Sequence, residues 1–324
     1  MKALVTGARG FGGSWLARLL LERGDEVSSF DLPDKAPSGL ALLGIESEVG
    51  DETGDLRDAD RVREVVAAVR PEAVFHLAAQ AIVGEANASP VPTLSSNVEG
   101  TWNVLEACRL EGVERVVVAS SDKAYGPHEE LPYSEGAALQ PTFPYDVSKA
   151  AADLIARSYW HTFELPVAVT RFANIYGGGD LNFSRLVPEV ATAVLDGRRP
   201  QIRSDGSPER DFLYVEDVAS AYVAIADALA EGRGRGEAFN AGWGRPNSVR
   251  EVVDLICEVG GGGVEPEYLG EGVPEGEIDR QYLAAERIRD VTGWTPEVEL
   301  DEGIERTLAW YREHPEARPS QPVR

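Results

Sequence analysis

Short β-branched runs alternate with helix-period segments through the first half of the chain. That alternation admits little besides a parallel sheet wrapped by helices. Lys2–Thr6 is an apolar run of buried-strand length, and Trp15–Leu21 repeats apolar residues at helical spacing. Glu26–Asp31 reads as a second strand. Past a Pro/Gly loop, Asp60–Val69 sets Val62, Val65, Val66 and Val69 on one helix face, and Ala73–His76 follows as a strand. Asn97–Leu110 reads as a helix with Gly112 as its C-cap, and Arg115–Ser120 as a strand. Tyr145–Phe163 is a long helix opened by Pro144, where a missing N–H costs least, and Val167–Arg171 is a strand. After residue 172 the rhythm changes. Leu181–Leu195 and Asp217–Ala230 read as helices, with a turn over 196–200 and Glu237–Asn240 as a strand returning to the first sheet. Gly260–Gly263 is a loop, and a Pro/Glu/Gly stretch over 265–277 leads to two amphipathic segments ending near Glu313. The polar tail after His314 is expected to fray. The expected fold is α/β: a doubly wound parallel sheet with a smaller C-terminal α/β lobe.

Where the first strand hands over to the first helix stands Thr6-Gly7-Ala8-Arg9-Gly10-Phe11-Gly12-Gly13. Gly7, Gly10 and Gly13 let the backbone turn tightly, and the free N–H groups and dipole at the helix start, around Phe11, favour a pyrophosphate. Alone such a loop is weak ground, because glycine-rich turns follow many strands. Asp31 strengthens it. It ends the second strand eighteen residues after Gly13, where a carboxylate can accept both hydroxyls of an adenosine ribose. The same carboxylate would repel a 2′-phosphate and no arginine follows it directly, so NAD is expected rather than NADP. Asp55-Leu56 either borders the adenine or is a capped turn before the next helix. On this reading residues 1–172 form an NAD-binding Rossmann domain to which 211–240 return, and 173–210 with 241–324 form the substrate lobe.

The 324 residues carry 31 Lys plus Arg against 55 Asp plus Glu, a formal charge of -24. That charge repels polyanions and argues against nucleic acid and anionic membrane surfaces as partners. No uninterrupted apolar run approaches the ~18 residues of a membrane span, and the N-terminus reaches Thr6 and Gly7 before a signal-peptide core could form. Cys108 and Cys257 sit in no C-x-x-C pair; a cytoplasmic setting is expected, and no metal site. Lysine is scarce: Lys2, Lys35, Lys123 and Lys149 are the only four among the 31 basic residues.

Tyr145 and Lys149, four apart, share one face of the predicted helix. An ammonium held against the phenol would lower its pKa and make tyrosinate a base near neutral pH. Ser121, just past a strand's C-terminal end, could hold a substrate hydroxyl where open α/β sheets bind ligands. The alternative is a solvated helix face, against which the glycine loop, Asp31 and Ser121 argue together.

These residues sit within a longer series: T-G-A-R-G-F-G-G, H-L-A-A-Q (76–80), N-V-E-G-T (97–101), S-S-D-K-A-Y-G (120–126), P-Y-D-V-S-K (144–149), R-F-A-N-I-Y-G (171–177) and R-D-F-L-Y-V-E-D-V (210–218). Over nearly the whole chain the series resembles the extended short-chain dehydrogenase/reductases, and within them the nucleotide-sugar epimerases and dehydratases. The resemblance implies a tightly held NAD, bordered also by Ala78, and a Ser/Thr, Tyr and Lys set matching Ser121, Tyr145 and Lys149. It implies that Asn174, Arg210 and Arg280 contact a nucleotide diphosphate, whose oxygens suit an arginine fork. Asn182 and Arg185 fall on the same substrate side. Each arginine taken alone would be a surface charge, and Asn174 a turn residue. A homodimer is implied as well, through a bundle of the helices at about 97–110 and 145–163, whose apolar positions could equally be core. Gly12 departs from the bulky residue usual before the third glycine, which bears on packing.

The pair after Ser121 bears on the reaction. Family epimerases usually carry small or hydroxyl residues there, and dehydratases an acid and a base, commonly Asp-Glu. Asp122-Lys123 is similar to the CDP-glucose 4,6-dehydratases, and the GDP-mannose 4,6-dehydratases stay open. Lysine, unlike arginine, can be tuned to give up its proton, which suits Lys123 to a base position. A polar turn with a local ion pair is the alternative for the two residues. The expected function is an NAD-dependent nucleotide-sugar 4,6-dehydratase. The alternative is a 4-epimerase of the UDP-glucose type; a non-catalytic dinucleotide sensor is more remote.

Overall fold

The computed structural model describes residues 1–33, 37–272 and 278–319. Lys35, residues 273–277 of the Pro/Glu/Gly stretch and residues 320–324 of the tail lie outside the described residues. Six strands begin the central sheet: β1 (Lys2–Thr6), β2 (Glu26–Asp31), β3 (Gly50–Thr53), β4 (Ala73–His76), β5 (Arg115–Ala119) and β6 (Val167–Phe172). The short strands β7 (Asn174–Tyr176), β8 (Gln201–Ile202), β9 (Glu209–Arg210) and β10 (Phe212–Tyr214) intervene before β11 (Ala238–Ala241) completes it. All neighbours are parallel, in the order β3-β2-β1-β4-β5-β6-β11. The winding reverses between β1 and β4, which opens a crevice at their carboxyl ends.

Helices cover both faces: α1 (Phe11–Glu22), the short α2 (Gly39–Leu42), α3 (Ala59–Val69), α4 (Val83–Ala88), α5 (Pro90–Leu94), α6 (Gly100–Glu111) and α7 (Pro144–Phe163). Later come α8 (Leu186–Leu195), α9 (Val215–Ala230), α10 (Val249–Val259), α11 (Glu286–Thr292) and α12 (Leu300–Glu313). Alternate residues of a strand point to opposite faces. Ala3 and Val5 of β1 therefore join a core with Leu16 and Leu20 of α1 and Leu229 of α9. Leu4 between them joins the other core, with Val62 and Val66 of α3, Val104 of α6 and Ala156 of α7. A third core gathers Val190 of α8, Val252 and Ile256 of α10, and Ile304 and Leu308 of α12. Trp15 of α1 ties it to the sheet, donating its indole N–H to the Gly178 carbonyl at 2.8 Å.

Several elements depart from the sequence reading. β3 is a polar edge strand, Gly-Asp-Glu-Thr, with no apolar alternation to betray it; its backbone pairs with β2 from Ser28 opposite Gly50. α10 went unread although Ser248 and Glu251 form a reciprocal capping box, and Val252, Val253 and Ile256 are buried. The predicted helix Leu181–Leu195 starts only at Leu186, because the Asp180 and Asn182 side chains hold the amides of Asn182 and Ser184 in turns. The predicted Asn97–Leu110 helix opens with a π-helical turn over Ser95–Glu99 before α6. The tail does not fray directly after His314: Pro315–Ala317 form a helical turn, and Arg318 donates to the Tyr311 carbonyl at 2.8 Å and to Asp196 at 3.2 Å.

Candidate active site

The glycine loop is shaped by close backbone approach. Gly7 has φ +79°, and a Cβ there would stand 2.7 Å from the Ala78 nitrogen. A Cβ on Gly13 would strike the Gly7 carbonyl oxygen and the Ala8 Cα, the latter at 2.8 Å. Gly10 caps α1 without a side chain, and the first ladder bond runs from the Ser14 N–H to the Gly10 carbonyl at 3.0 Å. The amides of Phe11, Gly12 and Gly13 precede that ladder, as donors an anion can use. Asp31 is buried at the end of β2 and accepts the Arg9 N–H at 3.2 Å. The Arg9 guanidinium is itself held by Asp51 of β3 at 3.0 Å. Asp55 accepts the Arg57 N–H at 2.9 Å and its guanidinium, which lowers the carboxyl's pKa; Leu56 is buried beneath Gly100. The cradle leaves no room for a Cβ at Gly7 or Gly13, offers amide donors and ends in a buried carboxylate. It fits a dinucleotide.

Behind the loop runs a buried chain of hydrogen bonds. The Ala78 N–H donates to Thr6 Oγ1 at 3.3 Å, and Thr6 Oγ1 meets His76 Nδ1 at 2.8 Å. His76 Nε2 lies 3.0 Å from Thr101 Oγ1, which donates to the Asn97 carbonyl at 2.6 Å. Because the Thr101 proton is committed to that carbonyl, His76 carries its proton on Nε2 and accepts from Thr6 on Nδ1. Burial, aided by the charge of Lys149, pulls the imidazole down to about 3. Asn97, in the π-helical turn, donates to the Gln80 carbonyl at 3.0 Å and to Ser148 Oγ at 2.9 Å. Ser148 in turn donates to the Tyr145 carbonyl at 2.6 Å. One network thus joins the glycine loop to the helix bearing Tyr145 and Lys149. His76 and Asn97 stand in the quoted motifs, yet nothing in their spacing assigned them this part.

Ser121, Tyr145 and Lys149 converge at the carboxyl end of β5. Pro144 occupies the first turn of α7, directly before the half-buried Tyr145, and Ser121 acts on the phenol in favour of its ionised form. Ser121 donates to Asp122 Oδ1 at 3.1 Å and accepts the Lys123 N–H at 3.2 Å. One expectation needs correcting. The Lys149 ammonium donates to the Ala119 carbonyl at 2.9 Å and burial draws it down to about 8. Burial pushes the Tyr145 phenol up to about 12, and the cation that opposes this is Arg185 rather than Lys149. Asp122 is 4% exposed, and burial raises its pKa against the charges of Lys123 and Arg210. Asp146, which the sequence reading left unassigned, is buried beside this group and raised to about 6, again by burial first.

On the substrate side the expected residues separate. Arg280 is exposed, pairs with Glu209 at 2.6 Å, and lines a cavity of about 460 Å³ with His128, Thr142, Phe143, Asp146 and Asp279. Arg210 is buried, donates to the carbonyls of Glu209 and Asp279 at 2.9 Å each, and acts electrostatically on Asp122. Asn174 donates to the Asp211 carbonyl at 3.3 Å. Asn182 and Arg185 belong to one turn around Asp180, whose carboxylate Arg185 holds at 3.2 Å while its charge reaches Tyr145.

A family model described as "NAD dependent epimerase/dehydratase family" matches residues 3–242. The chain is 35% identical to a UDP-glucose 4-epimerase of Mycolicibacterium smegmatis over 96% of its own length and 99% of that protein's. It is 34% identical to a dTDP-glucose 4,6-dehydratase of Streptomyces griseus, over 96% and 94%. Among solved structures, the dTDP-glucose 4,6-dehydratase DesIV of Streptomyces venezuelae, with NAD bound, superposes with a TM-score of 0.86. It is 30% identical, with 97% of each chain covered. With its parallel seven-stranded sheet, its glycine cradle and these relatives, the chain belongs to the NAD-dependent epimerase/dehydratase family of nucleotide-sugar enzymes.

Proposed function

We propose that this protein is an NAD-dependent 4,6-dehydratase, converting a nucleotide hexose to the 4-keto-6-deoxy sugar and water. The observation that carries this reading is Asp122: a buried carboxyl, shifted toward its protonated form, hydrogen-bonded to Ser121 and near enough to Tyr145 for its charge to act on the phenol. A protonated acid at that place suits the departure of a hydroxyl. Bound NAD, cradled by Gly7, Gly10, Phe11 and Gly13 with Asp31 on the ribose and Asp55, Leu56 and Ala78 nearby, supplies the acceptor and later the donor of a hydride. Tyr145 removes the 4-hydroxyl proton while Ser121 orients that oxygen and Lys149 ties α7 to the Ala119 carbonyl at the end of β5. The ketone so formed acidifies the hydrogen on C5, which a base beside the ring removes; Lys123 is the sequence's candidate. Asp122 gives its proton to the leaving 6-hydroxyl. Asn174, Asn182, Arg185, Arg210 and Arg280 hold the nucleotide diphosphate and sugar. Residues 1–172 with 211–240 serve the cofactor, and 173–210 with 241–324 the nucleotide sugar.

The 35% identity to an epimerase favours one other reading, 4-epimerisation, in which Asp122 and Lys123 only shape the pocket. Incubating the protein with CDP-glucose, GDP-mannose, dTDP-glucose and UDP-glucose under mass detection separates them, since only dehydration removes water. Asp122→Asn is expected to lower product formation by ~100-fold or more; unchanged turnover with every substrate sinks the dehydratase reading.

Two wider proposals accompany this. The outer faces of α6 and α7 expose Trp102, Leu110, Val147, Leu154 and Phe163, which supports a homodimer through a helix bundle. Cys108 and Cys257 are both unpaired, in keeping with a cytoplasmic setting. No helix among the described residues is long and apolar enough to cross a membrane.

A further inference from the structure

No arginine follows Asp31 directly in the chain, which favours NAD over NADP. The fold brings one there from the other side. Arg9 lies in the glycine loop, 22 residues before Asp31, yet its N–H is held by the Asp31 carboxylate at 3.2 Å. An arginine whose own amide touches that carboxylate carries its guanidinium within one side-chain length of whatever the carboxylate binds. A guanidinium at that place is what a 2′-phosphate calls for. In this chain it is engaged elsewhere. Its Nη2 donates to Asp51 Oδ2 at 3.0 Å. Asp51 stands on β3 opposite Ser29, whose hydroxyl donates to the other carboxylate oxygen at 3.4 Å. Ser29 and Asp31 are two apart on β2, so both face the side of the sheet over which Arg9 lies. The hold on Arg9 is light. The Asp51 side chain is 53% exposed, one hydrogen bond stands where a fork could make two, and the buried Arg9 Nε–H has no partner.

We propose that Asp51 is a specificity-determining residue for the cofactor: it holds the Arg9 guanidinium against β3 and so keeps NADP out of a site that already contains the cation NADP needs. Asp31 repels a 2′-phosphate, and Asp51 prevents the neighbouring arginine from cancelling that repulsion. The two carboxylates and one guanidinium are together net negative, which suits a ribose with free hydroxyls. With Asp51 neutral, the carboxylate and guanidinium that remain balance. Arg9 is then released to the phosphate oxygens, to which its planar fork is matched. Because the pair is half in water, breaking it costs the fold little. The proposal concerns the adenosine end of the cofactor and holds for dehydration and epimerisation alike.

Native mass spectrometry of the full chain, equilibrated with NAD and NADP at equal concentration, reads the ratio of the two loaded forms without turnover. The wild type should load with NAD. Asp51→Asn keeps the shape and the acceptor for Ser29 while removing the charge. It should move the ratio toward NADP by ~10-fold or more, the strength of one hydrogen bond to a charged group. The NAD affinity, titrated separately, should stay at the wild-type value. Adding Arg9→Ala to Asp51→Asn should return the ratio to that of Arg9→Ala alone. An unchanged ratio in Asp51→Asn overturns the proposal, as does a wild type that loads both cofactors equally. An equal shift in the double variant also overturns it, because the lost charge would then act without Arg9. So does a ratio that moves through weakened NAD binding. None of these readings requires turnover, so failure of the dehydratase reading leaves them unaffected.

Discussion

His76 lies between two threonine hydroxyls with both ring nitrogens engaged, in a buried sheet end where burial and the charge of Lys149 oppose a second proton. Its pKa falls from 6.5 to about 3. The unfolded chain therefore binds a proton between those values that the folded chain refuses. Stability contributed by the neutral ring is present above pH 6.5 and lost progressively as pH falls toward 3. Each unit of that interval is worth about 1.4 kcal/mol. Buried acids with raised pKa values, such as Asp211, work in the opposite sense, so the wild-type curve alone does not isolate the histidine. The difference from His76→Gln does. The variant should be less stable at pH 8 and should approach the wild type as pH drops from 6.5 to 4, read by thermal unfolding. A constant difference would mean that the ring's proton plays no part. At this scale the sequence disclosed residue types, Ser121, Tyr145 and Lys149 among them. It could not disclose that Lys149 spends its ammonium on the Ala119 carbonyl, because that depends on where β5 ends beneath α7.

Among the elements, the strand–loop–helix unit of β1 and α1 was legible because every requirement on it is local. A tight turn needs Gly7 at φ +79°, and a helix packed against that turn needs Gly13. Gly13→Ala should therefore push α1 away from the Gly7 carbonyl and weaken NAD binding by ~10-fold or more, the equivalent of ~1.4 kcal/mol. Cofactor titration by fluorescence measures this; unaltered affinity would show that the loop relaxes freely. β3 stayed hidden for the converse reason. A polar edge strand owes its form to the ladder offered by β2 rather than to a buried face. The π-helical turn over Ser95–Glu99 was equally invisible, since its sequence reads as ordinary helix and only the Asn97 bridge to Gln80 and Ser148 gives the extra residue a purpose.

For the molecule as a whole, the acidic surface and the anionic ligands of the family must coexist. Screening beyond ~8 Å lets local donors outweigh a distant net charge of -24. On the proposed reading the first-turn amides of α1 would serve one ligand and Arg210 and Arg280 the other. The apolar row on α6 and α7 belongs to this scale too. Leu154 is 57% exposed and Trp102 43%, so a charge can be placed there without disturbing the interior. Leu154→Glu should convert a dimer to a monomer in sedimentation velocity with the unfolding temperature little changed. A wild-type protein that sediments as a monomer would dismiss the bundle.

The sequence by itself determined the sheet strands with apolar cores, the glycine loop, the carboxylate that ends β2 and the spacing of Tyr145 and Lys149 on one helix, because period, turn chemistry and short spacings are properties of contiguous residues. Tertiary structure alone decided which side chains meet. It let burial dominate the Tyr145 phenol with only Arg185's charge opposing it, buried Arg210 within electrostatic reach of Asp122, and left Arg280 and Asp146 on one cavity wall. Those outcomes turn on burial and on contacts between residues far apart in the chain, and a carboxyl's proton affinity follows from what surrounds it after folding.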